Sequence, residues 1–253
     1  MKLAMDTRPF PFRITGARIA VLGYGPDAAL QASGLRDAGN QVSVGTRLGG
    51  LSWTRARKDG FSTGAACAAV AGASVVVVLV PDDEQAPVYW DAIEPGVERG
   101  ALLVTGRALA LATRAFDPRS LDVVFVAVRD GACRVAVHND TTGRALERAI
   151  SYARAAFGLD IAIATTTIAA EVEAELAELE TRAGGAAAFR SYVETATGRV
   201  RYSHAPEEAR LAYYEGLHQL VEDRARRGAA PHADARDVRA AALAAHGPTR
   251  GRS

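Results

Sequence analysis

Ala17-Arg-Ile-Ala-Val-Leu-Gly-Tyr-Gly-Pro-Asp-Ala28 joins an apolar run to a glycine-rich turn. Residues 19–22 read as a buried strand, and Gly23-Tyr24-Gly25-Pro26-Asp27-Ala28 follows as G-x-G-x-x-(G/A), opening a helix over residues 29–38. In a dinucleotide-binding βαβ unit the first glycine makes the tight turn and the second lets backbone approach a pyrophosphate. The small third residue packs helix on strand. Pro26 suits a first helical turn, where its missing N–H costs no hydrogen bond. The free N–H groups of that turn and the positive end of the helix dipole favour phosphate.

Composition bounds the rest. The chain has 253 residues, enough for one large or two modest domains. Apolar content of 49% and charged content of 23% are those of a globular protein. A net charge of +1 gives no reason to expect nucleic acid or an anionic membrane as partner. Cys67 and Cys133 lack zinc or C-x-x-C spacing and are expected as reduced structural thiols. No signal-peptide core stands in residues 1–13, and the longest apolar run, 73–80, is too short for a bilayer, so a cytoplasmic location is expected.

Residues 41–45 (QVSVG) read as the second parallel strand. In an NAD-binding unit an acidic residue near its end holds the ribose hydroxyls. Here Thr46-Arg47-Leu-Gly-Gly-Leu-Ser52-Trp53 carries none. A guanidinium and a hydroxyl suit a 2′-phosphate, so NADP is expected over NAD; the alternative is a solvated basic loop. Arg55, Arg57 and Lys58 are expected on an exposed helix face. Residues 74–80 form the third strand, β-branched on both faces as in a covered parallel sheet. It ends in Pro81-Asp82-Asp-Glu-Gln85, at the carboxyl edge where open α/β sheets bind ligands. A helix over 83–94 and a strand over 101–105, ending in Gly106-Arg107, come next. Strands at 123–128 and 134–138, a helix at 144–157 and a strand at 161–164 complete the sheet. The expected fold is α/β, with a Rossmann-type NADP-binding domain over residues 1–165. An all-helical C-terminal domain over 166–253 is expected to hold helices at 168–183, 186–194 and 206–227. A turn is expected near Thr197-Gly198, and a short helix at 233–245 before a frayed end.

Several segments together resemble ketol-acid reductoisomerase, the NADPH- and magnesium-dependent enzyme of branched-chain amino-acid synthesis. They are Ile19-Ala-Val-Leu-Gly-Tyr-Gly25, Val44-Gly-Thr-Arg47 with Ser52-Trp53, and Leu79-Val-Pro-Asp-Asp-Glu-Gln85 with Val88-Tyr89. Ile93-Glu-Pro95, Ala136-Val-His-Asn-Asp140, Thr165-Thr166 and Ala212-Tyr-Tyr-Glu-Gly-Leu-His218 continue the match in family order. The resemblance implies that Gly23, Tyr24, Gly25, Pro26, Asp27 and Ala28 form the phosphate turn. Arg47 and Ser52 would meet the 2′-phosphate, and Pro81, Asp82, Gln85 and Gly106 would flank the cofactor. Gly50 stands where the family often has a second serine.

On the reaction side the chain departs from the family. Arg107 replaces an active-site histidine, and Val128-Arg-Asp-Gly-Ala132 crosses the point where the family has a lysine-bearing loop. The carboxylate pairs that hold magnesium fall on Ala174 and Glu178, and on Glu215 and Gln219. With two of four carboxylates missing, no magnesium site is expected and the isomerase step is expected to be lost. What remains is NADPH-dependent, metal-independent reduction of a small-molecule imine or ketone, in specialised biosynthesis. Arg107, Glu178, Glu215, Tyr213 and His218 are the catalytic candidates. Glu178 is either a surviving cleft carboxylate or one charge on a solvated face with Glu171, Glu175 and Glu180. One of Tyr213 and Tyr214 is expected to reach the cleft. The resemblance also implies a homodimer through the helical domain. The alternatives are a genuine magnesium-dependent reductoisomerase with a rearranged site, and a non-catalytic NADP-binding protein.

Overall fold

A computed structural model describes residues 14–201 and 208–227. The chain begins with β1 (Arg18–Leu22), α1 (Pro26–Asp37), β2 (Gln41–Gly45), α2 (Leu51–Lys58), β3 (Ser62–Gly64), α3 (Ala66–Val70) and β4 (Val75–Val78). Next come α4 (Asp82–Val88), a π-helical turn (Tyr89–Ile93), α5 (Glu94–Gly96), β5 (Leu102–Thr105) and α6 (Ala108–Ala112). β6 (Asp122–Arg129), β7 (Ala132–Asn139), α7 (Ala145–Phe157) and β8 (Ile163–Thr165) follow, then three helices, α8 (Ile168–Ala183), α9 (Ala186–Arg201) and α10 (Glu208–Arg226).

The eight strands make one sheet in the order β3-β2-β1-β4-β5-β6-β7-β8, with β3 and β8 at its edges. Every pairing is parallel except β6 with β7. That hairpin turns on Asp130 and Gly131, both at positive φ (51° and 75°), the two-residue geometry whose twist matches the strands it joins. Strand order reverses between β1 and β4, which opens a crevice at their carboxyl ends. The glycine turn 23–25 leaves β1 at that crevice.

Both faces of the sheet are covered. Ile19, Val21, Val75, Val77, Val124 and Val126 pack beneath α1 and α7. Their neighbours Ala20, Leu22, Val76, Val78, Val123 and Phe125 face the other side. This period-two division of an almost wholly apolar run is what a doubly covered sheet requires. On the second face, Val172 and Leu176 of α8, Phe189 and Val193 of α9, and Tyr213, Leu217 and Val221 of α10 join the same core as the sheet residues. No helix among the described residues is long and apolar enough to cross a membrane. Cys133 is buried and Cys67 exposed, and neither is in a disulfide.

The α/β architecture agrees with the expectation from sequence, with local differences. Ser62–Gly64 adds a strand, so the valine-rich third strand of the sequence is β4. The helix expected over 83–94 starts at Asp82 and reaches Gly96 through the π turn behind Pro87. No turn forms at Thr197-Gly198. α9 runs on to Arg201 because Phe189, Val193 and Thr197, four residues apart, bury one continuous stripe. That packing outweighs the cost of an internal glycine, about 1 kcal/mol. Pro206 and the helix expected at 233–245 lie outside the described residues.

Candidate active site

The crevice at the strand carboxyl ends is part of an open cleft of about 2650 Å³ that continues along α1 and α7. At Gly23 the chain turns with φ of +89°, and a Cβ there would stand 2.8 Å from the Leu79 carbonyl oxygen. Gly25 is the extended N-cap of α1, and a Cβ built on it would meet no atom within 4 Å, on the side open to the cleft. Pro26 and Asp27 occupy the first turn of α1, and Ala28 is buried against the sheet. This is an open cradle of backbone N–H groups at a helix N-terminus, fit for a pyrophosphate. Tyr24 contributes differently from the sequence expectation. Its ring is buried edge-on to Phe61 and its hydroxyl donates to Asp59 Oδ2 at 2.8 Å, so the side chain braces the turn from behind. Burial, then the Asp59 hydrogen bond, holds the Tyr24 hydroxyl well above the ordinary tyrosine range.

Along the cleft, Arg47 follows β2 and Ser52 lies in the first turn of α2, both on the wall. Arg55, Arg57 and Lys58 are exposed, as expected. The Arg47 guanidinium is 84% exposed and its Nη2 lies 3.0 Å from Glu84 Oε1. Thr46 Oγ1 is buried with no hydrogen-bond partner among the described residues. Pro81 caps α4, and Asp82 opens it.

At the opposite end Gly106 and Arg107 leave β5 into the cleft. Arg107 Nε lies 3.0 and 3.1 Å from the two Asp82 oxygens, and Nη2 lies 2.9 Å from Oδ2. Nη1 makes no hydrogen bond among the described residues, and the side chain lines the cleft, 31% exposed. Burial lowers the Arg107 pKa, but the hydrogen bonds and charge of Asp82, then Glu175, more than offset it, so the group stays cationic. Its backbone N–H donates to Thr105 Oγ1, which in turn donates to Gln85 Oε1 at 3.2 Å. Gln85 is 1% exposed and stands behind Thr105, so it props the strand end and does not reach the cleft, a correction to its assignment as a cofactor contact.

The largest difference from the sequence reading lies on α8. Glu171 and Glu175 are not on a solvated face; both are fully buried against the sheet. Glu175 accepts the backbone N–H groups of Ala108 and Leu109 at 3.0 and 3.1 Å, capping α6. It also lies 3.4 Å from Arg129 and 4.0 Å from Arg107. Glu171 is 2.7 Å from Arg134 and 4.0 Å from Arg129. Burial pushes the Glu175 carboxyl up, opposed by Arg107 and the two N–H groups. Asp82, Glu171 and Glu175 thus face Arg107, Arg129 and Arg134 in a charge-balanced cluster that reaches the cleft wall through Asp82, Arg107 and Arg129. The sequence signal for it was faint: two glutamates four apart, each just before an apolar residue of the buried stripe, Val172 and Leu176.

The remaining candidates divide. Glu178 lines the cleft but is paired with Arg182 at 2.7 Å. Glu215 is exposed, paired with Arg201 at 2.5 Å, and stands away from the cleft wall, as do Tyr213 and His218. Tyr213 is buried in the field of Asp82 and Arg107, and burial holds its hydroxyl far above the ordinary range. Tyr214 donates to Asp83 Oδ2 at 3.3 Å. Neither tyrosine lines the cleft; the α10 side chain that does is Arg210, 3.5 Å from Asp83. No group of three or more His, Cys, Asp or Glu side chains able to hold a metal occurs among the described residues.

Comparison with known proteins fits this geometry. Residues 13–134 match the family described as acetohydroxy acid isomeroreductase, NADPH-binding domain. Ketol-acid reductoisomerases (NADP(+)) from two strains of Xanthomonas oryzae pv. oryzae are each 36% identical over 239 residues, covering 86% of this chain. The chain spans 66% of the length of those relatives. The fold is shared with an NADH-preferring ketol-acid reductoisomerase from an uncultured archean, with TM-score 0.59 and 24% identity over 90% of this chain and 76% of that one. It is shared also with a semialdehyde dehydrogenase NAD-binding protein from Cupriavidus necator, with TM-score 0.56 and 18% identity over 87% of both chains. The glycine turn, the domain match and the identity that continues into the helical region place this chain in the ketol-acid reductoisomerase family.

Proposed function

We propose that the chain is an NADPH-dependent, metal-independent reductase of a small-molecule ketone or imine, built on the reductoisomerase scaffold without its isomerase step. The observation that carries this is Arg107: a permanent cation stands where the family has a histidine, oriented by Asp82, with Nη1 free of hydrogen bonds among the described residues. Magnesium does not fit the donors present. Residue 174 is alanine, Glu178 is taken by Arg182 and Glu215 by Arg201, and the Gln219 amide donates to Asp223. A bound NADPH would supply the hydride. The N-terminus of α1 would hold its pyrophosphate, and Arg47 with Ser52 its 2′-phosphate. Arg107 would donate to the substrate oxygen as negative charge develops there, with its direction fixed in advance by Asp82. A ketone suits this end better than an iminium, because the Arg107 Nη1 donor makes no hydrogen bond among the described residues, whereas the Glu178 carboxylate is already paired with Arg182. Within this proposal residues 1–165 bind the cofactor, and 166–253 cover the substrate side and pair two copies of the chain.

The test is NADPH oxidation with acetolactate, a ketone panel and a cyclic-imine panel, each with magnesium or with EDTA. Ketone or imine turnover unaffected by EDTA is expected. Arg107→Met is expected to lower kcat about 100-fold or more, with the NADPH Kd within about twofold of wild type. Magnesium-dependent turnover of acetolactate would identify a genuine reductoisomerase; NADPH binding without turnover of any substrate would favour the non-catalytic alternative.

A further inference from the structure

The arginine that would meet the 2′-phosphate is not idle. Arg47 Nη2 lies 3.0 Å from Glu84 Oε1, and both side chains line the cleft. Glu84 sits in the first turn of α4, where the helix dipole favours a carboxylate, and its side chain is only 30% exposed. The Arg47 stem, by contrast, is almost fully in solvent. The two partners are therefore unequal: the arginine can swing, while the glutamate is tied to α4.

We propose that Glu84 is a coenzyme-selectivity residue, whose carboxylate works against the 2′-phosphate and lets the chain accept NADH beside NADPH. This rests on the cofactor site described above. An exposed ion pair holds weakly, so a 2′-phosphate can take Arg47 from Glu84. Having lost its partner, the carboxylate stays at the cleft wall, a like charge beside the incoming phosphate. With NADH no exchange is needed: the pair persists, and Glu84 can accept the ribose 2′-hydroxyl, as an acidic residue does at the end of the second strand in NAD-binding units. The carboxylate absent from β2 in the sequence is thus supplied across the cleft, from the segment after β4. Arg47 and Glu84 together present each coenzyme with one favourable group and NADPH with one unfavourable group.

The experiment is titration of the full chain with NADPH and with NADH, followed by nicotinamide fluorescence, for wild type, Glu84→Gln and Glu84→Asp. Glu84→Gln keeps the shape and removes the charge. It is expected to tighten NADPH roughly 5- to 10-fold and to leave NADH within about twofold or weaken it. Glu84→Asp keeps the charge and is expected to hold the ratio near that of wild type. A merely structural role for Glu84 would move both coenzymes together. An unchanged NADPH-to-NADH ratio in Glu84→Gln overturns the proposal while leaving the cofactor site intact. Failure of wild type to bind either coenzyme overturns the cofactor reading and this proposal with it.

Discussion

Glu175→Ala is expected to destabilise the fold by about 3–5 kcal/mol, the range for removing one partner from a buried ion pair. The carboxylate is fully buried and serves four groups at once: the Arg107 and Arg129 guanidiniums and the backbone N–H groups of Ala108 and Leu109. Its removal unbalances the cluster by one positive charge and leaves two helix-terminal donors without an acceptor. Glu175→Gln retains an oxygen for one of those donors and is expected to cost less, about 1–3 kcal/mol. Chemical denaturation of both variants checks this. A loss under about 1 kcal/mol for the alanine variant would mean that water reaches the cluster. Adding Arg129→Met to Glu175→Ala should recover part of the loss, because the excess charge is then gone.

A second large effect is expected at Gly216. A Cβ there would lie 2.3 Å from the Thr113 carbonyl oxygen and within 2.9 Å of two further Thr113 atoms, so α10 touches the end of α6 backbone to side-chain root. Helix propensity alone says that Gly216→Ala stabilises by about 1 kcal/mol. Sterics says the opposite, because the obstructing atoms are chiefly backbone and α10 must move away. Displacing it separates Tyr213, Leu217 and Val221 from the core they share with the sheet. A net loss of about 2–3 kcal/mol is expected, with faster amide exchange in α10. Gly198→Ala is the matched control. Nothing lies within 4 Å of its would-be Cβ, and it is expected to stabilise α9 by about 0.5–1 kcal/mol. If both alanines stabilise, the close approach of α10 to α6 is wrong.

How much of this was legible in the sequence depends on whether a residue's role is local. The strand into Gly23, the open Gly25, the valine run of β4 and the helix α7 declare themselves by composition and period, and the first two shape the open N-terminus of α1. β3 is three residues, Ser62 to Gly64, with no period to detect; it exists because β2 offers it a ladder. α9 passes through Gly198 because a buried stripe overrides a local breaker. Glu171 and Glu175 looked like solvated charges because their partners, Arg129 and Arg134, lie on strands about forty residues earlier. Arg107 was visible as a departure from a family pattern, whereas its anchoring by Asp82 was not. Gln85 and Tyr24 stood within motif segments, yet their side chains turn inward to brace the backbone that faces the cleft.

The sheet closes on its shortest members, β3 and β8, three residues each. An edge strand is where a foreign chain can add itself, and a long, flat apolar edge invites aggregation. The segment of this chain best suited to such templating, Val75–Val78, stands fourth from the β3 edge, paired on both sides. Each outer strand offers a newcomer only a few free backbone groups before the chain turns into a helix, α3 at one edge and α8 at the other. Brevity at the margins, more than charge, keeps a valine-rich sheet from recruiting its neighbours.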